Sequence, residues 1–147
     1  MKICIATDAW HPQINGVVTT LSRTAATLES WGHEVLMITP EQFTTFPCPT
    51  YPEIRLSMVA PTTIGRMLTR FGPDAVHIAT EGPLGLLARQ YCIERGKGFS
   101  TSFHTRFPEY VSARLPVPQD WSYGYLRWFH EPAGNTLVPT PSLRDDL

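Results

Sequence analysis

Apolar residues fall into short continuous runs separated by longer stretches of helical spacing. Ile3-Cys4-Ile5-Ala6 and Val35-Leu36-Met37-Ile38 are unbroken rather than alternating. Runs of this kind suit strands covered on both faces, as in a parallel sheet. Between them, Val17, Val18, Leu21, Ala25, Leu28 and Trp31 recur at the spacing of one helix stripe,. Asn15 is placed to cap that helix and Gly32 to stop it,. Ile64, Met67, Leu68 and Phe71 mark a second helix, closed by Gly72-Pro73-Asp74. Ala75 to Ala79 reads as a strand, Pro83 opens a helix with Leu84, Leu87, Ala88 and Tyr91 on its buried side, and Phe99 to Phe103 is a further strand,. A looser helical region runs from Arg106 to Phe129, broken by Pro116 and Pro118, and Thr136-Leu137-Val138 is a last strand. Glu41 to Pro61 is punctuated by proline and reads mostly as loop, with a short strand near Ile54-Arg55-Leu56,.

Strands therefore alternate with helices. The order predicts crossover units and an α/β fold: a doubly wound, mostly parallel sheet with helices on both faces. In such a sheet ligands bind beyond the carboxyl ends of the strands. Three loops are picked out: Asp8 to Gly16, Thr80-Glu81-Gly82-Pro83, and His104-Thr105-Arg106. The Asn15-Gly16 step would let backbone approach a phosphate closely at a helix start, where free N–H groups and the dipole favour an anion. The same pattern also describes a plain capped turn. G-x-G-x-x-G is absent there, which argues against a nicotinamide enzyme,. His104 could bond a sugar hydroxyl or steady developing charge, or simply fix its loop. Glu81 could contact a substrate hydroxyl; the plainer alternative is a carboxylate stabilising the next helix start. His11 is a weaker candidate, and His77, inside a strand, reads as a satisfied sheet histidine. Trp121, Tyr125, Trp128 and Phe129 sit at helical spacing, as core or as a face covered by another domain, with an acceptor or membrane surface as the alternative,. Asp8, Glu109 and Asp120 form no readable carboxylate pair.

Composition narrows the classes. Twelve basic against 13 acidic residues give a net charge of -1, so there is no basic field and no nucleic-acid partner is expected,. No apolar run is long enough to cross a bilayer,. Cys4, Cys48 and Cys92 are odd in number and far apart, without metal spacing, which predicts a reducing cytoplasm and no metal site,. Local patches such as Arg66 and Arg70 leave peripheral contact with the inner membrane open. Ser142 followed by Asp145 resembles a capping-box start with too little chain after it for a stable helix,. The expectation is a chain cut from something longer.

The segment Thr7-Asp8-Ala9-Trp10-His11-Pro12-Gln13-Ile14-Asn15-Gly16-Val17-Val18 resembles the opening of family 4 glycosyltransferases of the GT-B fold. It is most similar to bacterial GDP-mannose-dependent α-mannosyltransferases and their sulfoquinovosyl- and glucosyl-transferring relatives. Ala79-Thr80-Glu81-Gly82-Pro83-Leu84-Gly85 and Thr101-Ser102-Phe103-His104-Thr105-Arg106-Phe107-Pro108-Glu109-Tyr110 resemble the same group, and more specifically. The resemblance implies that 1–147 is the N-terminal, Rossmann-like, acceptor-side domain of a retaining glycosyltransferase, truncated before its donor-binding domain. The donor would be GDP-mannose or a UDP-sugar and the acceptor a lipid or glycan hydroxyl, with no cofactor and no obligatory metal. It further implies that Asn15 and Gly16 border the donor diphosphate and His104 the transferred sugar, with His11, Glu81, Arg106 and Tyr110 as less certain cleft residues. The family's C-terminal Arg/Lys pair and Glu-x7-Glu motif have no counterpart in 1–147, so this stretch alone is expected to fold without turning over donor. Two other readings compete: an epimerase or phosphorylase of the same fold, and a non-catalytic docking module acting through the aromatic cluster.

Overall fold

The computed structural model describes residues 1–48, 51–104 and 118–146. In chain order the elements are β1 (Lys2–Ala6), α1 (Gly16–Ser30), β2 (Glu34–Ile38), a 3-10 turn (Pro40–Gln42), β3 (Thr44–Cys48), β4 (Tyr51–Met58), α2 (Pro61–Phe71), β5 (Ala75–Ile78), α3 (Pro83–Glu94), β6 (Ser100–Ser102), α4 (Gln119–His130), β7 (Asn135–Leu137) and α5 (Pro141–Asp146). Five strands form one sheet in the order β2-β1-β5-β6-β7, and every described pairing within it is parallel. This is the Rossmann-like, doubly wound α/β architecture that the alternation of strands and helices predicts.

The unbroken apolar runs have a direct cause. On β1, Cys4 and Ala6 face a core built with Ile64 and Leu68 of α2 and with Leu84 and Ala88 of α3. Ile3 and Ile5 face the other way, against Val17, Leu21 and Leu28 of α1. Each fully buried Leu or Ile stabilises the fold by about 1.5–3 kcal/mol, so the two seams clamp the sheet from both sides. Cys4 and Cys92 are buried packing residues; desolvation pushes their thiols up to about 12 and about 11. Among the described residues no disulfide joins Cys4, Cys48 or Cys92. Asn15 caps α1, its side chain accepting from the Val18 N–H at 3.0 Å. Gly32 and Gly72 end α1 and α2 in the left-handed conformation, at φ 83° and 63°,.

Four features depart from the sequence reading. In the proline-rich stretch, Thr44–Cys48 and Tyr51–Met58 pair antiparallel as β3 and β4 instead of forming mostly loop. Arg55 ties its strands together, donating to the Thr45 hydroxyl and carbonyl at 3.0 and 3.1 Å. The register shifts between Pro47 and Cys48, and Pro52 falls among the residues that the shifted pairing skips, so these prolines sit at a bulge rather than ending the ribbon,. Trp31 leaves the buried stripe of α1 and is 70% exposed, because the helix has already ended there. The cap of α5 is Thr140 rather than Ser142, since the Leu143 N–H donates to the Thr140 hydroxyl at 3.4 Å. The aromatic positions divide: Phe129 is core, whereas Trp121 is 76% exposed and Tyr125 and Trp128 are part-exposed.

Candidate functional site

The sheet order sets the site. β1, β5 and β6 lie side by side and run parallel, so the segments leaving them emerge along one edge. Gly16 and His104, far apart in sequence, therefore share that edge with the Thr80–Gly82 turn between them. Gly16 is exposed, and a Cβ built on it meets nothing within 4 Å. His104 is half-buried.

The turn after β5 is organised by Asp8. Its carboxylate is 5% exposed and accepts from the backbone N–H of Leu84 at 2.8 Å, of Gly85 at 3.3 Å, and from the Thr80 hydroxyl at 2.8 Å. The Asp8 N–H donates back to Thr80 Oγ1 at 2.6 Å. Asp8 thus supplies the anion that the start of α3 favours. Desolvation pushes its carboxyl above the usual range, against the pull of the three donors,. The role considered for Glu81, stabilising the start of α3, belongs to Asp8 instead.

Glu81 points elsewhere. Its Oε1 is 3.1 Å from His130 Nε2 on α4, and its backbone carbonyl accepts from the Tyr125 hydroxyl at 2.6 Å. The other ring nitrogen of His130 lies 2.8 Å from Thr101 Oγ1, which is 2.9 Å from Thr136 Oγ1. A chain of polar contacts therefore runs from the rim across β6 to β7. Burial, reinforced by Glu81 and Asp8, pushes the Tyr125 phenol up to about 12, so it donates as the neutral form. Arg89 of α3 secures the end of α4, donating to the carbonyls of Phe129 and Trp128 at 2.9 and 2.8 Å while its guanidinium stacks on the Trp128 ring at 3.9 Å,.

Two histidines lie on the opposite face of the sheet from His130 or at its rim. His77 is satisfied on both ring nitrogens, by Ser100 at 2.9 Å and Ser102 at 2.8 Å, as a sheet histidine should be. Burial lowers it to about 4. His104 is also lowered by burial, with the Glu81 charge acting in the other direction. Its Nε2 is buried and has no hydrogen-bond partner among the described residues. A neutral imidazole can donate from one ring nitrogen and accept at the other, and here Nε2 is left to be satisfied,.

Of the residues singled out from sequence, Asn15, Gly16, Glu81 and His104 lie on this edge. His11 is exposed on the same β1–α1 loop, against the Trp10 ring at 5.3 Å. Arg106 and Tyr110 lie outside the described residues. Among the described residues no group of three His, Cys, Asp or Glu side chains is arranged to hold a metal ion, and no helix is long and apolar enough to cross a membrane. A groove of about 980 Å3 between α2 and α3, bordered by Arg66, Arg70, Tyr91 and Arg95, contains none of the site residues.

The sequence pattern placed Asp8 and Thr80 in candidate loops and Tyr125 in the aromatic cluster without the roles they play here, and did not single out His130. For His130 a signal existed: it follows Leu126 by one helical turn, on a side that proves buried. Asp8 offered none, because its partners lie more than seventy positions along the chain.

The model of Glycosyltransferase Family 4 matches residues 14–147. A sulfoquinovosyl transferase of Arabidopsis thaliana is 29% identical over 136 residues, covering 82% of this chain and 26% of the relative. GDP-mannose-dependent alpha-mannosyltransferases of Mycolicibacterium smegmatis and Mycobacterium tuberculosis are 26% and 24% identical, each alignment covering 100% of this chain and 44% of the relative. The chain spans less than half the length of these relatives.

Proposed function

The chain belongs to glycosyltransferase family 4, and on that premise we propose that it is the acceptor-side domain of a retaining hexosyltransferase. The donor in this reading is GDP-mannose and the acceptor a lipid or glycan hydroxyl. The names of the two mycobacterial relatives, which align over this whole chain, favour mannose; the plant relative's name favours sulfoquinovose as the second reading. A second Rossmann-like domain beyond residue 147 would hold most of the nucleotide.

One observation carries the proposal. An uncrowded glycine turn at a helix start and a half-buried histidine with an unused ring nitrogen border the same strand edge. The first suits a diphosphate and the second a sugar hydroxyl. In the reaction, the bond from the anomeric carbon to the diphosphate oxygen breaks. A bond from the acceptor oxygen to that carbon forms on the same face. The acceptor proton passes to the departing diphosphate. The chain's own contribution is positioning: the α1 N-terminus toward the diphosphate, and neutral His104 toward the sugar.

The test is transfer by the full-length protein, with GDP-mannose, UDP-glucose and UDP-sulfoquinovose offered in turn to a lipid extract and products read by mass spectrometry. His104→Ala is expected to cut turnover by roughly a hundredfold or more while leaving the circular dichroism spectrum unchanged. Unchanged rates would remove His104 from the mechanism, and no product from any donor would overturn the reading.

A further inference from the structure

We propose that His130 is a positioning residue for this site: it fixes the Glu81 carboxylate at the rim beside His104, where Glu81 accepts a hydroxyl of the bound sugar. The inference rests on the glycosyltransferase reading for the identity of the ligand, but the positioning itself is a property of the fold.

The start of α3 does not need Glu81, because Asp8 already accepts from Leu84 and Gly85. Yet the structure holds Glu81 at two points. Tyr125 takes its carbonyl and His130 takes its Oε1, at 2.6 and 3.1 Å. Both holders come from α4, which Arg89 anchors at its carboxyl end. His130 is nearly enclosed, with a side-chain exposure of 5% against 21% for Glu81, between the rings of Phe103 and Phe129 at 6.0 and 5.2 Å. The buried imidazole therefore has little freedom, while the carboxylate it holds reaches the surface. Binding one carboxylate oxygen in this way leaves Oε2 to receive a ligand hydroxyl.

The hydroxyls behind His130 make the arrangement robust to its protonation. With Nε2–H directed at Glu81, a neutral ring accepts from the Thr101 hydroxyl, which in turn accepts from Thr136. A protonated ring donates to Thr101, whose hydroxyl turns to donate to Thr136,. Every contact in the chain survives either state, so Glu81 stays fixed in both. A histidine kept only for packing needs no such relay.

The experiment compares Glu81→Gln, His130→Phe, His130→Gln and the Glu81→Gln/His130→Phe double variant. The first readout, independent of activity, is the titration of His104 by ring-selective NMR. Glu81→Gln removes a negative charge beside His104, so its midpoint is expected to fall. His130→Phe keeps the ring volume but releases Glu81 and is expected to lower the midpoint too. Phenylalanine also desolvates His104, so the fall reports displacement of Glu81 only when the double variant lowers the midpoint no further than Glu81→Gln. His130→Gln retains an N–H donor and is expected to restore the wild-type midpoint. If His130→Phe fails to fold, the glutamine variant and Glu81→Gln still decide: a His104 midpoint insensitive to Glu81→Gln overturns the proposal. So does a midpoint that His130→Phe leaves at the wild-type value. The second readout is sugar transfer by the full-length protein. Glu81→Gln and His130→Phe are each expected to lower kcat by about tenfold, with no further loss in the double variant. Additive losses overturn the shared role. Absence of transfer in the wild type refutes the glycosyltransferase reading instead, while the titration still judges whether His130 holds Glu81.

Discussion

The Asp8 carboxylate fills the space in which a side chain on Gly82 would stand. A Cβ built on Gly82 would lie 2.4 Å from Asp8 Cγ and 2.6 Å from its Oδ2. The carboxylate is fixed by three donors, so it yields poorly. Gly82→Ala is therefore expected to destabilise the fold by about 1–3 kcal/mol in urea unfolding. Asp8→Ala leaves the Leu84 and Gly85 N–H groups buried and unpaired, at a cost of about 3 kcal/mol or more. Asp8→Asn is expected to cost less than either, because its amide oxygen still accepts from Leu84 and burial no longer opposes a charge. An alanine at position 8 as stable as wild type would refute this account of the motif.

Gly85 and Gly16 separate folding from ligand binding. A Cβ on Gly85 would lie 1.9 Å from the Thr80 carbonyl oxygen, a backbone atom of the turn itself. Gly85→Ala is expected to give little soluble protein. Nothing lies within 4 Å of a Cβ at Gly16, so Gly16→Val is expected to keep stability within about 0.5 kcal/mol of wild type,. Under the proposed function the same valine intrudes on the diphosphate. Calorimetric titration of the full-length protein with GDP-mannose should show at least a tenfold loss of affinity, about 1.4 kcal/mol.

Arg89 links α3 to the element that carries His130 and Tyr125. Lysine at this position keeps the charge but loses the fork that reaches two carbonyls and the plane that stacks on Trp128,. Arg89→Lys is expected to destabilise the protein by about 1.5–3 kcal/mol. Hydrogen exchange should also quicken in 119–130 before it quickens in the sheet. Uniform loss of protection would mean that the contact stabilises the whole domain rather than docking α4.

What was legible in the sequence follows from how local the cause was. β1 and β2 were readable because both faces of each strand are covered, which leaves an unbroken apolar run. The cap of α1 was readable because Asn15 and Val18 are neighbours. The β3–β4 hairpin was not, because its prolines look like breakers until the bulge that takes them up is known. The edge carrying Gly16 and His104 was predictable from the rule for parallel sheets. The wiring behind it was not. Asp8 meets Leu84, and His130 meets Glu81 and Thr101, only once the sheet is assembled. A buried polar contact between distant positions leaves no periodic trace. The glutamate in the turn therefore looked like a helix-start residue when Asp8 does that work.

His77 links this wiring to pH. Burial lowers its folded-state value to about 4, against an ordinary value of 6.5. Between these limits the unfolded chain binds a proton that the folded chain refuses. The contribution of His77 to stability is therefore complete above pH 6.5, declines as the pH falls toward 4, and levels off below it. The full loss is about 3 kcal/mol. His104, also lowered by burial, pushes the same way, whereas Asp8, raised by burial, favours the folded state as the pH falls. The informative quantity is thus a difference between proteins. His77→Gln can keep contacts with Ser100 and Ser102 but does not titrate. In urea unfolding at pH 7 and 4.5, wild type should lose about 2 kcal/mol more than His77→Gln. Equal losses in the two proteins would mean that the folded state accommodates a charged His77, and that the serine pair, not desolvation, governs its protonation.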